Sequence, residues 1–187
     1  KTVAESLNRL FSQNYIGRSG DTYNFLTDEE QDIWKEINAM NVDTASIVER
    51  IAHMIFADIY PTKKFQYGKY NFGFDQMVDG VTVGAITGGM RLKMLTVATD
   101  AVEKAEMRLM TESVKQAIIV LGDTPYYEFL ERAMKIRKYV KQRNVSQLSK
   151  SVQDIIGKHT DEAKNLEDDA LEQLQLAIAQ AEYYVDG

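Results

Sequence analysis

Apolar residues in the first third of the chain recur every three or four positions, interrupted by one short stretch in which they alternate with polar residues. The helical spacing predicts a helix that ends near Asn14 and two further helices before Pro61. The alternating stretch, residues 16–26, predicts a hairpin, and Thr27 and Glu30 then have the spacing of a capping box. A helix followed at once by a two-stranded hairpin is typical of the second half of a winged helix, so we expect a partial winged helix here.

The middle third of the chain has the patterns of β-strands. Aromatic residues alternate over residues 65–74, which predicts one or two strands, and Asp79 and Gly80 are a turn signal before another short strand. The pattern then predicts a βαβ unit. Its first strand covers residues 92–98, its helix starts at Thr99 and Asp100, and its second strand covers residues 117–121. The last of these is a continuous apolar run, which is typical of a parallel strand covered on both faces.

Helical spacing returns in the last third. Residues 126–140 form one amphipathic pattern, and apolar positions continue at helical spacing from Leu148 to Ala181. Gly157 lies within the second pattern and indicates a bend or a break. The end of the chain has the spacing of a coiled-coil seam, which predicts pairing within the chain or self-association with a second copy. The seam positions are Leu171, Leu174, Ile178, Ala181 and Val185.

These patterns together predict the fold class α/β (α+β), with a partial winged helix, a small mixed sheet with a βαβ unit and a helical C-terminal third. The predicted domains are residues 1–60, winged-helix-like with linking helices; residues 61–143, an α/β domain with a basic helix; and residues 144–187, a long helix or helical hairpin. The 187-residue length is enough to bury a core without disulfide or metal staples.

The composition is that of an ordinary globular chain, with 44% apolar residues, 27% charged residues and a net charge of −6. No run of about 18 apolar residues occurs, so we expect no membrane partner. Cysteine is absent, which excludes disulfides, thiol nucleophiles, iron–sulfur clusters and the common zinc sites. Because the chain opens at Lys1 and not at a methionine, we expect an internal fragment of a larger, cytoplasmic protein.

Basic residues indicate two places for contact with nucleic acid. On the predicted winged helix, Arg9, Gln13 and Arg18 are able to reach DNA, while the alternative is that this segment packs against a neighbouring domain. The helix over residues 126–140 and its tail hold the only concentrated basic patch, which can meet phosphate, an acidic partner or water. The members of this patch are Arg132, Lys135, Arg137, Lys138, Lys141 and Arg143.

Two other groups of residues have a functional interpretation beside a structural one. Lysines and aromatic rings over residues 63–70 are able to stack on single-stranded nucleic acid, but packing in the core or in an edge strand is the favoured interpretation. Asp100 and Asp123 follow two predicted parallel strands, where a pair of carboxylates can hold Mg²⁺. Helix capping is the favoured role of these two residues.

Catalytic fingerprints are absent from the sequence. The pairs Gly68–Lys69 and Gly157–Lys158 both lack the glycine that a P-loop has five positions before its second glycine. The sequence also lacks G-x-G-x-x-G, G-x-S-x-G and H-E-x-x-H. We therefore predict no catalytic residue, no metal site and no cofactor in this fragment.

Several stretches together resemble the BrxC/PglY family of BREX phage-defence P-loop proteins. They are LFSQNYIGRSGDTYNFLTDEEQDIWKE at residues 10–36, NFGFDQMVDG at 71–80, AIIVLGDTPYYEFL at 117–130 and the closing AEYYVDG at 181–187. The resemblance implies a large cytoplasmic parent protein with an ATPase module that uses ATP and Mg²⁺. It also implies partners among the other BREX subunits, including a DNA methyltransferase, and a role in protecting bacteria from phage. The family's Walker motifs have no counterpart here, so no ATP-binding residue is carried over.

Three functions follow from the sequence as alternatives. The first is a non-catalytic fragment of a BREX-type ATPase that serves in assembly with other defence subunits and in contact with DNA. The second is a winged-helix DNA-binding regulator with an α/β ligand domain. The third is a metal-dependent phosphodiesterase that uses Asp100 and Asp123.

Overall fold

The computed structural model describes residues 2–13, 15–19 and 22–185, and it divides into two compact units. Unit 1 comprises residues 1–41 and 132–164, and unit 2 comprises residues 42–131 and 165–187. Each unit is therefore built from segments that are distant in the sequence. None of the described helices is long and apolar enough to cross a membrane.

The elements follow one another in a mixed order of helices and strands. The first four, all in unit 1, are α1 (Val3–Ser12), β1 (Ile16–Ser19), β2 (Thr22–Phe25) and α2 (Asp28–Asn38). Unit 2 then has α3 (Thr44–His53), a π-helical turn (Met54–Ile59), β3 (Lys64–Tyr67), β4 (Tyr70–Val78), β5 (Val81–Val83), β6 (Met90–Leu95), α4 (Glu106–Ser113) and β7 (Ala117–Val120). The chain ends with α5 (Tyr126–Lys141), a 3₁₀ turn (Val145–Gln147), α6 (Lys150–Ala179) and β8 (Glu182–Tyr184).

Capping side chains fix the helix starts that the sequence predicts. The Thr27 hydroxyl accepts from the Glu30 backbone N–H at 3.2 Å, and the Glu30 carboxylate accepts from the Thr27 backbone N–H at 2.9 Å. This capping box satisfies two backbone donors at the first turn of α2. The predicted hairpin is also confirmed as the pair β1–β2, although its turn residues Gly20 and Asp21 lie outside the described residues, as does Asn14. The winged-helix assignment stays a prediction.

Unit 2 is organised around a six-stranded mixed sheet with the order β3-β4-β6-β7-β8, in which β5 also pairs with β4. β4, β6 and β7 run parallel, so the predicted βαβ unit is confirmed. The predicted turn is confirmed as well, because Asp79 (φ 45°) and Gly80 (φ 82°) take left-handed conformations between β4 and β5. The apolar cluster on this sheet joins Leu95, Leu109 and Ile118, with Tyr184 packed against it.

Two predicted boundaries around the crossover helix are wrong. β6 ends at Leu95 and not at residue 98, because the next backbone N–H, on Thr96, donates to the Asp79 carboxylate at 2.8 Å. The helix expected from Thr99 begins only at Glu106. Asp100 instead caps a single turn through the Glu103 N–H at 2.9 Å. The extended backbone of Ala105 (ψ 127°) separates that turn from α4.

The end of the chain also differs from the predicted seam. α6 is one helix of 30 residues, so Gly157 marks no break. It ends at Ala179, and β8 pairs antiparallel with β7, with Tyr184 opposite Ile118. The predicted helix through Val185 is therefore wrong. Pairing with β8 satisfies backbone groups of β7 that would otherwise be unpaired at the edge of the sheet. Leu174 is fully buried within the chain, so this seam position is not available to a second copy.

Candidate functional site

The basic patch on α5 and its tail is bound largely within unit 1. Arg132 donates to Glu162 Oε1 from Nε at 2.9 Å and from Nη2 at 2.6 Å. Lys138 donates to the backbone carbonyl of Asn41 at 2.6 Å, and Arg143 pairs with the carboxylate of Glu36. These contacts hold α5 to α2 and α6, so these three cations already have partners within the chain.

A four-residue network surrounds Arg132. Its guanidinium lies 3.8 Å from the centroid of the Trp34 ring, and the same indole makes an edge contact with the His159 ring at 5.5 Å. His159 is 8% exposed, and its Nδ1 lies 2.9 Å from Glu162 Oε2. Burial by itself raises the pKa of Glu162, but the hydrogen bond to His159 and the charge of Arg132 outweigh burial and lower it. Glu162 therefore stays ionised as the common acceptor of the network.

The other predicted DNA-contacting residues lie on α5, at the end of α1 and on β1. Lys135 and Arg137 take part in further interactions within the structure, and Lys141 is exposed at the end of α5. Arg9 and Gln13 are exposed one turn apart at the end of α1, whereas the side chain of Arg18 lies outside the described residues. DNA contact by all of these residues stays a prediction.

A cleft of about 530 Å³ lies in unit 2, and residues at the carboxyl ends of the parallel strands β4 and β6 contribute to it. Asp79, directly after β4, accepts hydrogen bonds from the backbone N–H and hydroxyl of Thr96 and from the hydroxyl of Thr99. Because three protein groups donate to its carboxylate, Asp79 links the end of β4 to the segment that follows β6.

A compact ion-pair network contributes Lys93 and Glu103 to the lining of the cleft. Lys93, with a side chain 12% exposed, lies 2.8 Å from Glu112 and 3.6 Å from Glu103. Arg108 contacts the same two carboxylates at 3.0 Å and 2.5 Å. Hydrogen bonds from Lys93 and Arg108 lower the pKa of Glu112. Two cations and two carboxylates balance, so the network adds no net charge to the cleft.

Asp100 and Asp123, the carboxylate pair of the metal-binding alternative, have different surroundings in the structure. Asp100 lines the cleft while capping its own turn, whereas Asp123 lies near the buried Tyr126. Burial raises the pKa of Tyr126 to about 12, and its hydroxyl accepts from the Val97 N–H at 2.9 Å. Over residues 2–13, 15–19 and 22–185, no three His, Asp or Glu side chains are grouped to hold a metal ion.

The Gly–Lys pairs do not fit the phosphates of ATP. Gly157 lies inside α6, where backbone N–H groups are engaged in helical hydrogen bonds. Gly68 lies at the tip of the β3–β4 hairpin in a left-handed conformation (φ 59°), outside any strand-to-helix loop. A P-loop needs free amides before a helix, and neither pair offers them. Binding of ATP and Mg²⁺ stays a prediction.

The aromatic positions of β3 and β4 form an exposed surface, contrary to the favoured expectation of packed rings. Phe65 lies opposite Phe72 and Tyr67 lies opposite Tyr70, so all four side chains share one face. Their exposures are 58%, 52%, 70% and 58%, in that order. We call residues 64–73 the aromatic ribbon. β3 is an edge strand, as the alternative allowed, but its rings are not packed.

Sequence reasoning missed most of these partners. Trp34 and Glu162 contact Arg132 from positions far along the chain, and no local pattern marks such pairs. Two pairs had a local signal in their helical spacing, His159 with Glu162 and Arg108 with Glu112. The sequence did not indicate that Lys93 is an ion-pair partner, because this residue occupies one position of a strand pattern.

Comparison with known proteins identifies the family. A family model described as BREX ATP-binding protein BrxC 4th domain with six-stranded beta sheet matches residues 40–187. All six strands of the sheet in unit 2 lie within this range. No solved structure matches the chain. Because the match covers most of the chain and its described sheet, the chain belongs to the BrxC family of BREX ATP-binding proteins, which act in phage defence.

Proposed function

We propose that this chain is a non-catalytic assembly domain of a BREX ATP-binding protein and that it docks other BREX subunits through α4. The observation that carries the proposal is an exposed apolar stripe on this helix. Met107, Met110 and Val114 recur at helical spacing and are 82%, 61% and 62% exposed. The opposite face of the same helix is anchored to the sheet through the buried Leu109.

The chemistry of the stripe favours a protein partner. Methionine side chains are flexible and polarizable, and they are common on surfaces that bind other proteins. A contiguous apolar patch on a folded domain frequently marks an interaction site. Membership of the BREX family supports other BREX subunits as the partners, with the DNA methyltransferase as one candidate.

The polar groups of the domain favour a structural role over a catalytic one. The Asp79 carboxylate is used by three donors, and Lys93 is held between Glu103 and Glu112. In unit 1, Arg132 is likewise held by Glu162. Groups bound in this way position strands and helices, which supports a rigid platform for docking.

The test places Met107→Glu/Met110→Glu in the complete BREX system. Glutamate retains helix propensity, so α4 should still form. We expect weaker co-purification of at least one BREX subunit and a parallel loss of phage protection. If each methionine contributes about 1–2 kcal/mol to the interface, the association weakens by roughly 5- to 30-fold per residue.

Two controls make the result specific. Met107→Leu/Met110→Leu keeps the stripe apolar and should retain binding and protection. Val3→Asp alters an apolar side chain that is 77% exposed on α1 and should have no effect. Normal co-purification and normal protection in the double glutamate variant would contradict the proposal.

A further inference from the structure

The aromatic ribbon extends beyond the sheet as a two-stranded arm. β3 pairs with Tyr70–Gly73 of β4, whereas β6 and β5 pair with β4 only from Phe74 and Gln76 onward. Among the described strands, none flanks the arm at residues 64–73. A two-stranded ribbon is only marginally stable in water by itself. Four exposed rings on such an arm form an apolar surface, and such surfaces often mark binding sites.

The rings of the ribbon are open to a ligand along their common face. Strand geometry separates Phe65 from Tyr67 by about 6.8 Å, and the opposite strand repeats this spacing. Flat groups are therefore able to contact successive rings without moving the backbone. At the base of the ribbon, Phe74 already stacks on the Tyr60 ring, with centroids 6.2 Å apart.

The ribbon and its base form a locally basic segment of an acidic chain. Residues 61–74 contain Lys63, Lys64 and Lys69 and no acidic residue, in a chain whose net charge is −6. All three lysines are exposed. Lys69 Nζ at the tip lies 5.5 Å from the Tyr70 ring centroid, and Lys63 lies at the base, where its carbonyl accepts from the Phe74 N–H at 3.5 Å. The arm therefore offers positive charge at both ends of an aromatic face.

We propose that the aromatic ribbon binds single-stranded nucleic acid. Unpaired bases stack on Phe65, Tyr67, Tyr70 and Phe72, while Lys63 at the base and Lys69 at the tip contact phosphates. Aromatic platforms flanked by cations bind single strands in this way without strong sequence preference. A duplex hides the faces of its bases, so the ribbon discriminates in favour of single strands. This site goes beyond the assembly role of α4 and does not depend on it.

The experiment measures fluorescence anisotropy of a labelled oligothymidylate of about 12 nucleotides with the 187-residue chain. A duplex of the same length serves as the competing ligand. We expect binding to the single strand whose log affinity falls with log salt concentration with a slope of about −1.4, as expected for two phosphate contacts. Raising salt from 50 to 200 mM then weakens binding by roughly 7-fold.

Two variants test the two parts of the surface. Phe65→Ala/Phe72→Ala removes stacking and should weaken binding by roughly 5- to 150-fold for each base that loses its platform. Lys63→Gln/Lys64→Gln/Lys69→Gln should bring the salt slope close to zero. All five side chains are exposed, and unchanged circular dichroism will show that both variants fold.

Matched controls separate the ribbon from other surfaces. Phe25→Ala removes a ring that is 83% exposed on β2 and should leave binding unchanged. Arg137→Glu/Lys141→Glu tests the basic helix. The proposal is overturned if this last variant abolishes binding while the ribbon variants do not, or if duplex binds as tightly as the single strand. Absence of binding at 50 mM salt also overturns it.

Discussion

Substitution of Arg132 by alanine is the sharpest test of how the basic helix is used. The change removes two hydrogen bonds to Glu162 and the guanidinium stacked on Trp34. It also leaves the Glu162 carboxylate with His159 as its remaining partner in the network. If the patch served only to meet an external phosphate, none of these losses would affect the stability of the isolated chain.

The magnitude follows from the exposure of the pair. The side chains of Arg132 and Glu162 are 31% and 33% exposed, so their pairing is partly screened by solvent. Breaking a buried pair costs about 3–5 kcal/mol, and an exposed pair contributes about 0–1 kcal/mol. The contact with Trp34 adds about 0.5–1 kcal/mol. We therefore expect Arg132→Ala to lower the free energy of unfolding by about 2–3 kcal/mol.

The same pair predicts a pH dependence of definite sign. The folded pKa of Glu162 lies below its ordinary value of 4.5, so its contribution to stability is present above that pH. It is lost as the pH falls through the lower, folded pKa, where the carboxylate becomes protonated. The difference in stability between the wild type and Arg132→Ala should therefore shrink as the pH falls from 7 to below 4.5 and through the folded pKa of Glu162.

Urea unfolding followed by fluorescence is the natural assay, because Trp34 is the only tryptophan of the chain and contacts Arg132 directly. Lys141→Ala is the matched control, since Lys141 is an exposed cation on the same helix. Its effect should stay within about 0.5 kcal/mol. An equally small effect of Arg132→Ala at pH 7 would refute the reasoning.

Three further substitutions test other parts of the structure. In unfolding experiments, Gly89→Ala should destabilise the fold by about 1–3 kcal/mol, because the added Cβ would lie 2.2 Å from the Gly73 carbonyl oxygen. Gly157→Ala should stabilise the fold by up to about 1 kcal/mol, because the added Cβ has open space around it within α6. Asp79→Ala should lower the melting temperature and cost about 2–4 kcal/mol, since Thr96 and Thr99 lose their acceptor and alanine disfavours φ 45°. Asp100→Asn should leave phage protection unchanged in plaque assays; loss of protection with a folded protein would instead favour the metal-dependent phosphodiesterase.

Local chemistry explains why much of the fold could be predicted. The Thr27–Glu30 capping box and the Asp79–Gly80 turn depend on residues within four positions of one another, so the sequence displays them directly. The apolar run at residues 117–120 likewise identified a parallel strand, because burial on both faces requires apolar residues at successive positions. The family resemblance rested on such segments and is confirmed over residues 40–187.

The candidate sites depended more on contacts between distant residues. Arg143 contacts Glu36, which is 107 positions away in the sequence. The pattern of charges on α5 and its tail could therefore not show that this cation is paired. The edge position of β8 was hidden for the same reason, since helical spacing through Val185 competes with strand pairing to β7. Local propensity is a weak energy that tertiary contacts override.

The sequence by itself determined the capped start of α2, the Asp79–Gly80 turn, the parallel pairing of β6 with β7 and the family, because each depends on chemistry within a short stretch of chain. Only the tertiary structure decided that Arg132 is bound inside unit 1 and that the rings of Phe65 and Tyr67 face solvent. Burial and pairing depend on which distant segments the chain brings together. The same amphipathic or aromatic pattern is therefore compatible with a packed face or with an open binding surface.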